Sequence, residues 1–184
     1  MIRSAQRCSV LLTTLLVAAC LAKVPHPAAN VSLGAGTARA ALPPDPGPRG
    51  RATIAGVDSD GDGARDDVQR FVILGYPDSQ RMQAALLQLA RGYQAWLAVR
   101  PNDAGAAFAA SEKTDRAMEC LFAVTTLERA YDARIQLKLQ MLDTDARQDA
   151  FFAADALLSG SVFVGDPDGH TGATCTFKPE TLPN

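Results

Sequence analysis

The sequence predicts an all-α protein, a small four- to five-helix bundle. Half of an EF-hand-like loop stands at the N-terminal end of the bundle, and a short hairpin or irregular tail at its C-terminal end. Three observations predict this. Apolar residues recur at helical spacing in successive runs from about residue 65 to residue 160, and only the residues after Gly160 turn β-prone. The runs are punctuated by Gly75 with Pro77, by Arg100-Pro101-Asn102 and by Asp143-Thr144-Asp145, which are stop and start signals. Directly before the first run stands Asp58-Ser59-Asp60-Gly61-Asp62-Gly63-Ala64-Arg65-Asp66-Asp67-Val68-Gln69, with carboxylates at alternate positions and a glycine after the third.

Residues 1–19 read as a secretion signal. Arg3 and Arg7 form a short basic region, and the apolar run Val10–Ala19 is too short to span a bilayer. Val17-Ala18-Ala19-Cys20 resembles the lipobox of bacterial lipoproteins, in which the cysteine carries the lipid and becomes the first mature residue. That resemblance implies a membrane anchor at Cys20 and a periplasm-facing place in the bacterial cell envelope. A plain signal cut after Ala22 or near Ala41 is the alternative. Leu21 after the cysteine, where Asp would be the retention signal, resembles the sorting pattern of enteric bacteria for the outer membrane. Losing residues 1–19 removes two arginines and no acid, which takes the net charge from −2 to −4. Such a chain offers no basic face for nucleic acid.

Residues 20–50 read as a tether. Pro25, Pro27, Pro43, Pro44, Pro46 and Pro48 lie among Ala and Gly, with too few large apolar groups to offset the entropy of ordering. The last part, Pro43–Pro48, is expected to be stiff and extended. The folded domain is then 51–184.

The acidic loop at 58–69 has the pattern by which a chain curls around one hard cation. Ca²⁺ takes six to eight oxygens, and loop positions 1, 3 and 5 turn short carboxylates inward while glycine at 6 permits a sharp bend. Those positions are Asp58, Asp60, Asp62 and Gly63. Ala64 at position 7 offers its backbone carbonyl, and Asp66 at position 9 binds directly or through water. Position 12, where a bidentate Glu is wanted, holds Gln69, whose amide gives one oxygen and no charge. Mg²⁺ is the alternative ion, and a plain acidic turn the alternative structure. Gly56 before the loop argues against an entering helix, which leaves half of an EF-hand.

The exiting helix begins near Arg65, turns Val68, Phe71 and Val72 inward, and stops at Gly75. The next is capped by Asp78 or Ser79 and carries the stripe Met82, Leu86, Leu89, Tyr93, Trp96 and Leu97, with Gln83, Gln88, Arg91 and Gln94 facing elsewhere. Ala104–Ala110 is either helical or loose, and Ser111–Asp115 starts a third helix carrying Ala117, Met118, Leu121 and Val124. Thr125-Thr126 either breaks or continues it. A fourth run places Leu127, Tyr131, Ile135, Leu139 and Leu142 inward, and a fifth does so for Phe151, Phe152, Ala156 and Leu157. Ser161–Val164 and Ala173–Phe177 are two short β-prone pieces around the turn Gly165–Gly169. Once Cys8 leaves with the signal and Cys20 takes the lipid, Cys120 and Cys175 remain. Two thiols in an oxidising compartment are expected to pair; a buried thiol and a free tail thiol are the alternative.

No nucleophile–base motif, CxxC, phosphate loop or dinucleotide fingerprint is present. The mature chain has only His26 and His170, and Glu112, Glu119 and Glu128 read as solvated helix residues. Asp166, Asp168 and His170 read as a turn. The segment Gly56–Val72 resembles a group of uncharacterised bacterial exported proteins with a calcium loop of thrombospondin type 3 or EF-hand type before a small helical domain. Members typically have Glu where Gln69 stands. The resemblance implies a Ca²⁺ ligand and an exported compartment, and no reaction. The expected function is therefore a non-enzymatic calcium-binding envelope lipoprotein whose helical body is structural or binds an unknown envelope protein. The alternative is a periplasmic hydrolase of envelope polymers with a structural calcium site.

Overall fold

A computed structural model of the chain describes residues 42–161 and 174–184. The signal segment, Cys20 and the tether up to residue 41 lie outside the described residues, as do Val162, Phe163, Val164, the turn Gly165–Gly169, His170 and Ala173. Among the described residues there are five α-helices and no strand: α1 (Asp66–Gly75), α2 (Gln80–Leu97), α3 (Ala104–Val124), α4 (Leu127–Met141) and α5 (Asp145–Ala156). The all-α expectation holds. Four helices start on side-chain caps, with Ser79, Asp103, Thr126 and Thr144 each accepting a hydrogen bond from the N–H three residues on. Each cap satisfies one amide that the first turn leaves without a helical partner. The Thr126 cap also settles the Thr125-Thr126 step as a break.

Helix α2 is the centre of the bundle and packs on each of the other four. Its expected stripe of Met82, Leu86, Leu89, Tyr93, Trp96 and Leu97 is buried throughout, each large side chain contributing about 1.5–3 kcal/mol. Helix α3 lies tightly against it. A Cβ at Gly92 would stand 3.1 Å from the Thr114 Cα, and the Trp96 indole donates to Thr114 Oγ1 at 3.0 Å. Helix α3 starts seven residues earlier than Ser111, because Asp103 caps it and Ala107 and Ala110 are buried.

Helix α4 packs with the opposite face from the one expected. Ala130, Ala133, Leu137 and Met141 are buried, whereas Leu127, Tyr131, Ile135 and Leu139 are 45–65% exposed. Residues repeated strictly every fourth position drift by about 40° per step around a helix of 3.6 residues per turn. From Leu127 to Leu139 that drift is about 120°, with Leu142 back in the middle, so the expected row is one face, and it lies opposite the face that is buried. Small side chains, not the large ones, let α4 approach its neighbours. Helix α5 likewise buries Phe151 and Ala154 and leaves Phe152 and Ala156 outside.

Both irregular ends lie on this body. Pro43–Pro48 is not extended throughout: Pro43, Pro46 and Gly50 are buried, and Gly47–Arg51 forms a 3-10 helix. The expected hairpin does not appear among the described residues of the tail, where Pro179–Thr181 is a 3-10 turn and the remainder is irregular. Cys120, fully buried on α3, and Cys175 form a disulfide with their sulfurs 1.97 Å apart. Gln88 adds a second hold. Its Nε2 donates to Thr174 O at 2.7 Å, and its Oε1 accepts from Thr176 N at 2.8 Å and Thr176 Oγ1 at 3.0 Å. Farther along, Arg81 Nε donates to Leu182 O at 2.6 Å. Gln83 and Gln88 are thus buried working residues of α2 and do not face solvent; Gln83 donates to Tyr76 O at 2.8 Å.

Candidate metal centre

The loop from Asp58 to Asp66 is closed at its neck, where the Asp66 N–H donates to Val57 O at 2.8 Å. Inside it the backbone wraps around the Asp58 carboxylate. Oδ1 accepts from Gly61 N at 2.9 Å and Asp62 N at 3.2 Å, and Oδ2 accepts from Gly63 N at 2.9 Å. Gly61 and Gly63 have φ of 70° and 87°, values at which a Cβ would collide with the backbone. That is the reason for glycine at these two places. Asp66 is the first residue of α1 and is buried; its Oδ1 accepts from Ser59 N at 2.9 Å and Ser59 Oγ at 3.1 Å. A negative charge in the first turn also suits the helix dipole.

One carboxylate oxygen from each of Asp58, Asp60 and Asp66 lies within 4.8 Å of the other two. The cluster could hold a metal ion. Its donors are oxygens only, the set a hard cation selects. Desolvation pushes the Asp60 carboxyl up, but hydrogen bonds from the Asp62 N–H and the Gln69 amide outweigh it and hold the group below the usual carboxylate range. Asp60 is therefore held in its charged form.

The other expected ligands fall into place unevenly. Asp62 is outside the cluster. Its Oδ1 accepts from Ala64 N at 2.8 Å, and its Oδ2 pairs with the Arg91 guanidinium, whose Nε also donates to Asp62 O at 2.8 Å. Asp62 thus fastens the loop to α2. The Ala64 carbonyl and Gln69 do meet: Gln69 Nε2 lies 3.5 Å from Ala64 O and 3.3 and 3.4 Å from the two Asp60 oxygens. The amide nitrogen partly offsets the negative charge there, and turning the amide over would present Oε1 to the same point.

Residues that no loop pattern marks hold the loop against the body. Arg65 and Arg147 are both fully buried. Arg65 caps the C-terminus of α4, donating to Met141 O at 3.2 Å and Gln140 O at 3.0 Å, and pairs with Asp67 at 3.0 Å. Arg147 grips the backbone that leads into the loop. It donates to Gly50 O at 2.6 Å, Thr53 O at 3.0 Å and Ile54 O at 3.1 Å, and pairs with Asp143 Oδ1 at 2.5 Å. Arg51 reaches Asp143 Oδ2 at 2.8 Å. Burial works upward on the Asp143 carboxyl, but the Arg147 and Arg51 guanidinia outweigh it and hold the group below the usual range. The only sequence signal for this node was two arginines and an aspartate beside apolar runs, a pattern shared with any solvated helix face.

No protein-family model matches the chain, and no curated protein or solved structure matches it.

Proposed function

We propose that this chain is a calcium-binding bacterial envelope lipoprotein, anchored to the membrane through Cys20, with a helical body that is structural or partner-binding and performs no reaction of its own. The observation that carries the reading is the convergence of Asp58, Asp60 and Asp66 inside a loop whose amides wrap the first carboxylate. Ca²⁺ suits this loop better than Mg²⁺, because Mg²⁺ demands near-ideal octahedral geometry and keeps its waters. In this reading Asp58, Asp60, Asp66 and the Ala64 carbonyl hold the ion, with Gln69 as a weak fifth ligand and water completing the shell. The ion would supply charge neutralisation and would fix the start of α1. The anchor reading is supported by the lipobox-like residues Val17-Ala18-Ala19-Cys20.

A thermal melt with millimolar Ca²⁺ against chelator tests the ion. A ligand that binds only the folded form raises the melting temperature, so Ca²⁺ should raise it for the wild type and not for Asp60→Asn. Equal shifts in both would remove the loop as the site. For the anchor, Cys20→Ser should leave the membrane fraction or accumulate as precursor. An unmodified mature N-terminus elsewhere, found by mass spectrometry, would overturn it.

A further inference from the structure

The residues leading into the loop form a strap across the helical body, and its attachment is unusual in kind. Residues 42–57 contain a single 3-10 helix and are held through their carbonyls by side chains from three helices: Arg70 of α1 on Pro43 O at 2.7 Å, Gln94 of α2 on Ala55 O at 3.0 Å, and Arg147 of α5 on Gly50, Thr53 and Ile54. The strap ends at Gly56 and Val57. Gly56 has φ +73°, and a Cβ there would stand 2.4 Å from Arg65 Cδ and 2.9 Å from Arg147 Nη2. Val57 is the neck residue whose carbonyl takes the Asp66 N–H. Strap and loop therefore share one hinge, packed against the side chains of two fully buried arginines.

We propose that docking of residues 42–57 controls the cation affinity of the 58–66 loop, so that the strap and the cation hold each other in place. This rests on the metal reading above and adds the regulation of that site. The physical reason is loop closure. With the strap docked, Val57 is already beside Asp66, and the entropy of closing the neck is not charged against ion binding. With the strap lifted, the three carboxylates repel and the neck opens. Because the coupling is a free energy between two sites, it must act equally in both directions.

The test uses the full chain and two readouts, Ca²⁺ affinity by calorimetry and hydrogen exchange of the amides of residues 49–57. Gly56→Ala touches no cation ligand, yet it should weaken Ca²⁺ binding about fivefold or more and speed exchange in the strap. Because Gly56→Ala could disturb the buried arginines more widely, Arg51→Ala with Arg70→Ala is the second variant. It removes surface-side holds on the strap and should move both readouts in the same direction by less. In the wild type, adding Ca²⁺ should slow strap exchange, and the Asp60→Asn variant should show no such slowing. If Ca²⁺ binds and neither variant changes its affinity, the coupling is wrong while the metal site stands. If the wild type binds no Ca²⁺, both fall together.

Discussion

Residues 42–57 and residues 174–184 both cross the helical body without regular structure beyond short 3-10 turns, and both are held by long side chains that grip carbonyls. The chemistry of the hold differs. The tail is gripped by a neutral amide, Gln88, by the Arg81 guanidinium on the Leu182 carbonyl, and by a covalent bond, Cys120–Cys175. The strap is gripped by Gln94 and Arg70 and, at its centre, by Arg147, which shares the Asp143 carboxylate with the strap's own Arg51. The covalent hold responds to reductant, and none of the tail's named holds uses a carboxylate that acid would neutralise. A hold that depends on the Asp143 carboxylate ignores reductant and weakens in acid. The two ends of one domain can therefore be released separately, and the release conditions identify which hold is acting.

The largest effect should come from the disulfide. A bridge across 55 residues is worth about 4 kcal/mol in the chain-entropy account, so Cys120→Ala with Cys175→Ala should lower unfolding free energy by roughly that amount in urea. Hydrogen exchange should quicken in 174–184 and not in 49–57. Loosening of both ends together would end the contrast.

Next comes Asp143→Asn, which leaves Arg65 and Arg147 buried with less counter-charge and should cost about 3 kcal/mol. Here the strap loosens and the tail does not. The same residue sets a pH dependence. Its folded-state pKa is depressed below the ordinary value of 3.8, so its stabilisation is complete above that value and is lost as pH falls through the lower folded value. Acid unfolding curves of wild type and Asp143→Asn should converge at low pH; a constant gap would assign the loss to packing.

Gln88→Ala should cost about 1–3 kcal/mol, because the Thr174 carbonyl and the Thr176 amide lose their partner. Its exchange signature should match that of the disulfide variant, at smaller amplitude. At the small end, Leu139→Ser changes a residue 65% exposed and should alter stability by about 0.5 kcal/mol or less. A large loss would mean that the α4 row is covered in solution.

Helix existence and most boundaries were legible in the sequence, because caps and stops such as Ser79, Thr144 and Gly75 act locally. The α2 stripe was legible because its spacing matches the helix period and its residues are large. The buried face of α4 was not, since burial there follows the small size of Ala130 and Ala133, and size does not announce which side a neighbour approaches. In the loop, Asp58, Asp60, Asp66 and Gly63 were readable from spacing, whereas the left-handed turn at Gly61 was not. The diversion of Asp62 was not, because Arg91 meets it from a helix 29 residues away. The arginine node was hidden for the same reason: Arg147 finds its carbonyl partners more than 90 positions upstream.

Calorimetric titration of the wild-type chain with Ca²⁺, beside Asp60→Asn and Gln69→Glu, tests the central claim most directly. The loop as built predicts one ion per chain, with affinity in the micromolar-to-millimolar range of extracellular calcium modules. Asp60→Asn should abolish the heat. Gln69→Glu should tighten binding, since a carboxylate replaces an amide whose nitrogen now faces Asp60 and Ala64 O. No heat from the wild type at millimolar Ca²⁺, or heat that survives Asp60→Asn unchanged, would contradict the assignment of the 58–69 loop as a calcium site.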